Sequence, residues 1–203
     1  ALQNQITDEN TITEFAQKKY LEHDVVNGDE DECDWSGIIA NKFVQELPQF
    51  GDVVSWQNEL QVPGKKWGLE YDVICKTDFE FKDVIVDTKA TAYIRRLKSG
   101  KVDAKWYPKS ADVRQQCLYR EVFGKETMLL YCSPTDQYCV DMVGRDELKP
   151  MINAMKHIEH ILKIVPTKED IVRMFPLTLD NFRWKGSKGS VDFAEKLWSE
   201  CLQ

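Results

Sequence analysis

Three consecutive branched aliphatic residues, Val84-Ile85-Val86, run directly into Asp87-Thr88-Lys89. An apolar run without polar alternation is what a strand covered on both faces requires, so this segment belongs inside a sheet with a layer on each side. Charges at the end of such a strand must find partners or water, because an unpaired buried charge is costly. The run therefore implies a layered domain and marks where its buried strand carries chemistry.

The surrounding pattern fills in the layers. Apolar spacing predicts helices over 11–23 and from Ser36 to about Leu47, where Pro48 ends the turn. Three strand-like stretches follow at 53–62, 67–76 and 79–89, with Pro63-Gly64 and Lys76–Asp78 as their turns. A helix over 111–123 precedes two more strands, 127–132 and 138–143. Helices from Asp146 or Glu147 to about Ile164, over 168–175 and from Val191 complete the chain. Helix, three strands, helix, two strands implies a mixed α/β sheet flanked by helices.

Composition narrows the function classes. With 203 residues and 42% hydrophobic content the chain builds an ordinary core. Its longest apolar runs are too short to span a bilayer, so no membrane partner is expected. No basic, apolar, small-residue succession opens the sequence. The six cysteines lack a CxxC pair and metal-site spacing, so reduced, mostly buried thiols in a cytoplasmic protein are expected. The net charge of −7 argues against indiscriminate coating of nucleic acid. It hides a gradient, however. Residues 1–59 carry 3 Lys and Arg against 13 Asp and Glu, including the stretch Asp29–Asp34, whereas 93–114 carry seven against two. A polyanionic partner would meet the middle of the chain.

Asp72 lies in one predicted hairpin strand and Asp87-Thr88-Lys89 closes the next, an arrangement able to bring both carboxylates and the Lys89 ammonium around one point. Hard oxygen donors of that kind suit Mg²⁺ or Mn²⁺, which take the rest of their shell from water and phosphate. Lys89 can orient water or neutralise developing charge. Gln115 and Tyr119 are four residues apart on the following helix and so share a face. Between strand and helix lie Arg95, Arg96, Lys98, Lys101, Lys105 and Lys109, interleaved with Tyr93, Trp106 and Tyr107. That mixture combines phosphate neutralisation with stacking surfaces, although a solvated lysine-rich excursion has the same composition. Phe182-Arg183-Trp184-Lys185 repeats the chemistry on a smaller scale.

Gly68-Leu69-Glu70-Tyr71-Asp72, Asp87-Thr88-Lys89 and Gln115-Gln116-Cys117-Leu118-Tyr119 together resemble the G-x-x-x-D, D-x-K and Q-x-x-x-Y motifs of the RecB-like branch of the PD-(D/E)xK nuclease superfamily. The resemblance implies a restriction-endonuclease-like αβββαβ core over 36–143, with 1–35 as an N-terminal helix and acidic linker and 144–203 as a helical extension. It implies a Mg²⁺- or Mn²⁺-dependent deoxyribonuclease, an exonuclease in preference to an endonuclease, acting on single-stranded DNA or duplex ends. Asp72 and Asp87 would ligate metal, with the Thr88 carbonyl as a further ligand, and Lys89 would act on the attacking water. Gln115, Tyr119, Arg95, Arg96, Lys105 and Trp106 would contact DNA. The branch often carries His on the first core helix. Asn41 stands at that position in Gly37-Ile38-Ile39-Ala40-Asn41, which makes Glu46 the candidate first-helix ligand and Asn41 the fallback. Cys132, Cys139 and Cys201 do not reproduce the cysteine pattern of the iron–sulfur relatives, so no cluster is expected. The alternatives are a non-catalytic nucleic-acid- or protein-binding module on the same fold, and a structure-specific endonuclease.

Overall fold

The computed structural model describes residues 8–22, 30–165, 167–174 and 188–201. Residues 27–29 of the acidic stretch, and the Phe182–Lys185 motif, lie outside them. Contacts divide the chain into two units, residues 3–37 with 160–203, and residues 38–159. The second takes in most of a helix that the sequence reading assigns to the extension.

In the first unit, α1 (Glu9–Glu22) begins where the Asp8 carboxylate accepts bonds from the Thr11 N–H and hydroxyl, satisfying a free donor of the first turn. Ile12, Val172, Ala194 and Cys201 are its buried residues on α1, α5 (Lys168–Met174) and α6 (Lys188–Cys201). The helix expected to start at Ser36 begins earlier: α2 spans Glu30–Glu46. Ser36 is no cap but donates its hydroxyl back to the Cys33 carbonyl at 2.7 Å, so the acidic residues from Glu30 onward are helical, not linker.

The second unit is a mixed five-stranded sheet flanked by helices, in the order β1 (Val53–Trp56), β4 (Phe79–Phe81), β5 (Val84–Ala90), β6 (Glu126–Cys132), β7 (Gln137–Asp141). Only β5 and β6 pair in parallel, and α3 (Ser110–Phe123) lies between them in the chain. A parallel pair needs such a crossover. Ile85 and Val86 are fully buried, as the unbroken apolar run requires. On one face Ile85, Leu118 and Tyr119 pack with Ile152 of α4 (Leu148–Ile164), and Leu129 and Tyr131 pack with Val113, Cys117 and Tyr107. On the other face Phe81 meets Phe50, which follows α2, with ring centroids 5.6 Å apart.

The expected first three strands are cut differently. The 53–62 stretch breaks at Gln57, whose φ of 50° turns the chain out of the extended region. The halves join separate sheets: β2 (Glu59–Val62) pairs with β3 (Val73–Lys76) in a two-stranded sheet, while β1 pairs with β4. The partner of the buried strand is thus β4, across a tight turn at Lys82-Asp83, and not the strand that follows Asp72. Residues 64–67 form a 3-10 turn in place of strand. Gly64 there has no room for a side chain, since a Cβ would sit 2.0 Å from the Tyr71 carbonyl oxygen.

Candidate active site

The period of two along β5 puts Ile85, Asp87 and Lys89 on the α3 face and Val86 and Thr88 on the other. Asp87 is 2% exposed. Its Oδ2 lies 2.5 Å from Lys89 Nζ as an ion pair, yet that oxygen is sealed from solvent and receives no hydrogen bond of acceptable angle. Burial pushes the Asp87 carboxyl up from 3.8 to about 6 against the attraction of Lys89, and the carboxylates of Asp78 and Asp112 push the same way as burial.

Lys89 also donates to Gln115 Oε1 at 3.1 Å, Gln115 Nε2 donates to the Tyr119 hydroxyl at 2.8 Å, and Tyr119 donates to the Lys76 carbonyl at 2.5 Å. The polarity of this chain is set from its far end. A carbonyl can only accept, so Tyr119 must spend its proton there, take its second bond from the Gln115 amide, and leave Oε1 facing Lys89. That arrangement suits an ammonium donor. Burial, with the Asp87 charge as the next cause, pushes the Tyr119 phenol up to about 12, so it remains protonated at neutral pH.

Asp78 sits beside the same strand, its Oδ2 accepting from the Thr88 N–H at 2.8 Å and the Thr88 hydroxyl at 2.9 Å. It immediately precedes β4, and its charge reaches Asp87, where it pushes the carboxyl up. Asp112, in the first turn of α3, accepts from the Tyr131 hydroxyl at 2.6 Å.

The predicted residues divide accordingly. Asp87, Lys89, Gln115 and Tyr119 come together. Thr88 adjoins them, with its N–H and hydroxyl engaged by Asp78. Asp72 does not join them: it is exposed, precedes β3 in the two-stranded sheet, and accepts from Gln61 Nε2 at 2.8 Å. The reason is register, because β5 pairs with β4. Glu46 is directed elsewhere too. Its carboxylate accepts from Gln137 and Gln49, both at 2.9 Å, and its charge bears on Cys132 and Cys139. By alternation along β6 and β7 those thiols lie on the face opposite Asp87. Asn41 is buried in α2. Burial raises Cys132 to about 12 and Cys139 to about 11, which keeps both thiols protonated at neutral pH. Among the described residues no group of three or more His, Cys, Asp or Glu side chains converges as a ligand set.

Of the residues expected to meet DNA, Arg96 is consumed internally, with Nε and Nη2 on the Asp136 carboxylate at 2.5 and 2.8 Å and Nη1 on the Gly100 carbonyl. Arg95 pairs with Asp103 at 3.3 Å and lies 5.0 Å over the Trp106 ring. Lys105 is exposed. Sequence reasoning missed Asp78, Asp112 and Tyr131. A signal for Asp78 exists in the Lys82-Asp83 turn, which sets the β4–β5 register. Asp112 and Tyr131 have none, since their contact joins a helix to a strand.

No family model matches the chain, and no curated protein matches it. Among solved structures, one described as "Crystal structure of SSO0001" is similar over 74% of this chain and 70% of that one, at 12% identity and a TM-score of 0.42. Among the described residues no helix is long and apolar enough to cross a membrane.

Proposed function

We propose that the chain is a divalent-cation-dependent deoxyribonuclease of the PD-(D/E)xK type, hydrolysing phosphodiester bonds at the C-terminal end of β5. The observation that carries the reading is the buried Asp87–Lys89 pair tied to Gln115 and Tyr119. The element order supports it: with the β2–β3 hairpin as an excursion, the chain runs helix, three strands, helix, strand, the αβββαβ succession of that fold.

The donor chemistry fits Mg²⁺ or Mn²⁺. Asp87 Oδ2 is a hard oxygen buried without a hydrogen bond, and Asp78 is a carboxylate near enough for its charge to act on it, so these two would hold the ion in place of the pair Asp72 and Asp87. Bound there, the cation supplies Lewis acidity toward phosphoryl oxygen. Lys89, oriented as an ammonium by Gln115, donates toward the reacting phosphate or the attacking water and offsets negative charge as it develops. Gln115 and Tyr119, spent on that orientation, serve as positioning residues for Lys89. Preference for exonucleolytic action rests on the Q-x-x-x-Y resemblance.

DNA degradation with Mg²⁺ or Mn²⁺, compared between wild type and Lys89→Ala, tests the proposal. A loss of about 100-fold or more is expected for the variant, in the range of a lost electrostatic stabiliser. Equal activity in both proteins, or none in the wild type with either ion, overturns it.

A further inference from the structure

The 91–109 excursion leaves β5 directly after Lys89 and re-enters at the helix that carries Gln115. Its base is fastened to the same region. The Thr91 N–H donates to the Cys132 carbonyl at 2.9 Å, Tyr107 donates to the Tyr93 carbonyl at 3.0 Å, and the Lys109 N–H donates to the Tyr131 hydroxyl at 3.3 Å. Arg96 clamps the far side to Asp136. The excursion is therefore a fixed projection beside the Asp87–Lys89 pair.

Its outer face has a definite composition. The backbone is extended through the bridge of Arg96 to Val102, and the 95 carbonyl accepts from the Asp103 N–H at 2.9 Å. Ile94 is buried, whereas Tyr93, Arg95 and Leu97 are exposed. Trp106 lies under the Arg95 guanidinium at 5.0 Å. Tyr93 is 60% and Trp106 50% exposed, large areas for side chains whose ring faces are apolar. Lys98, Lys101 and Lys105 are exposed on the same excursion, and among the described residues none of the three pairs with an acid.

We propose that this face is a stacking platform for an unpaired nucleic-acid strand, with bases on Tyr93 and the Arg95–Trp106 stack and phosphates on Lys98, Lys101 and Lys105. The argument rests on the nuclease reading for its purpose but on the platform's own chemistry for its choice of strand. An unpaired strand exposes π-faces that aromatic rings and guanidinium planes can cover. A duplex hides those faces and offers groove edges, best read by free Arg forks. Here Arg95 is engaged with Asp103 and Arg96 with Asp136, which leaves point-charge lysines and rings.

Fluorescence anisotropy tests this with labelled (dT)12, (rU)12 and a blunt 12-base-pair duplex, in EDTA so that binding is read without cleavage. Both single strands are expected to bind more tightly than the duplex at equal salt, and the two arms show whether the sugar matters. Trp106→Ala is expected to weaken single-strand binding about 5- to 150-fold, the worth of one stacked base. Trp106→Phe, which keeps a ring, stays within about threefold. Replacing Lys98, Lys101 and Lys105 with Gln should flatten the log–log salt slope by about 2. Duplex binding as tight as single-strand binding, or Trp106→Ala binding like wild type, overturns the platform. Because no metal is present, loss of binding with cleavage retained refutes the platform alone, and binding without any metal-dependent cleavage refutes the nuclease reading alone.

Discussion

Replacing Asp87 with Asn should make the folded protein more stable at neutral pH, although it removes an ion pair. The carboxyl is almost fully buried, and burial raises it from 3.8 to about 6 even with Lys89 at 2.5 Å. A raised acid favours folding while it is protonated in both states, and that contribution is lost as pH climbs from about 4 through about 6. At about 1.36 kcal/mol per unit, the two-unit displacement amounts to roughly 3 kcal/mol at pH 7.5. Asn is isosteric and carries no charge to desolvate, but it leaves Lys89 without its counter-ion, so a net gain of about 1–3 kcal/mol is expected. At roughly 2–4 °C per kcal/mol for a chain of this size, melting should rise by about 2–12 °C. Thermal melts of wild type and Asp87→Asn by circular dichroism at pH 4.0, 5.0, 6.0 and 7.5 read this out, and the gap should open steadily with pH. Adding Mg²⁺ or Mn²⁺ should stabilise the wild type and leave the variant unmoved, because a ligand stabilises only the state that binds it. A gap that does not change with pH, or a variant that melts lower at pH 7.5, refutes the reasoning.

Cleavage assays should separate the two candidate acids: Asp78→Asn is expected to lose at least about tenfold in metal-dependent activity, while Asp72→Asn, whose partner is Gln61, stays within about threefold. The reverse order would restore Asp72 to the site. Tyr119→Phe removes the donor to Lys76 and frees the Gln115 amide to turn, so it should lower stability by about 1 kcal/mol in urea unfolding. Its pH–rate profile should also shift, which a purely structural role would leave alone. Gly64→Ala drives a methyl group against the Tyr71 carbonyl and should cost roughly 1–3 kcal/mol, measured by the same unfolding experiment.

What the sequence by itself determined are the features with local causes. The unbroken Val84–Val86 run required a strand covered on both faces, and a period of two placed Asp87 and Lys89 on one side of it. The 3.6-residue period aligned Gln115 with Tyr119, and the two are indeed hydrogen-bonded. Which groups meet these four was decided by long-range pairing. A positive φ at Gln57 diverts the chain into a second sheet, and the Lys82-Asp83 turn makes β4 the neighbour of β5. Asp78 thereby comes near enough for its charge to act on Asp87, and Asp72 is left at the start of the hairpin strand. The basic segment shows the same division. Composition located its charge, but only folding brought Asp136 against Arg96, turning an expected phosphate contact into an internal support. Side-chain direction follows from the local backbone, whereas a partner depends on register and on loops closed over tens of residues, and no short window of sequence contains both ends of such a contact.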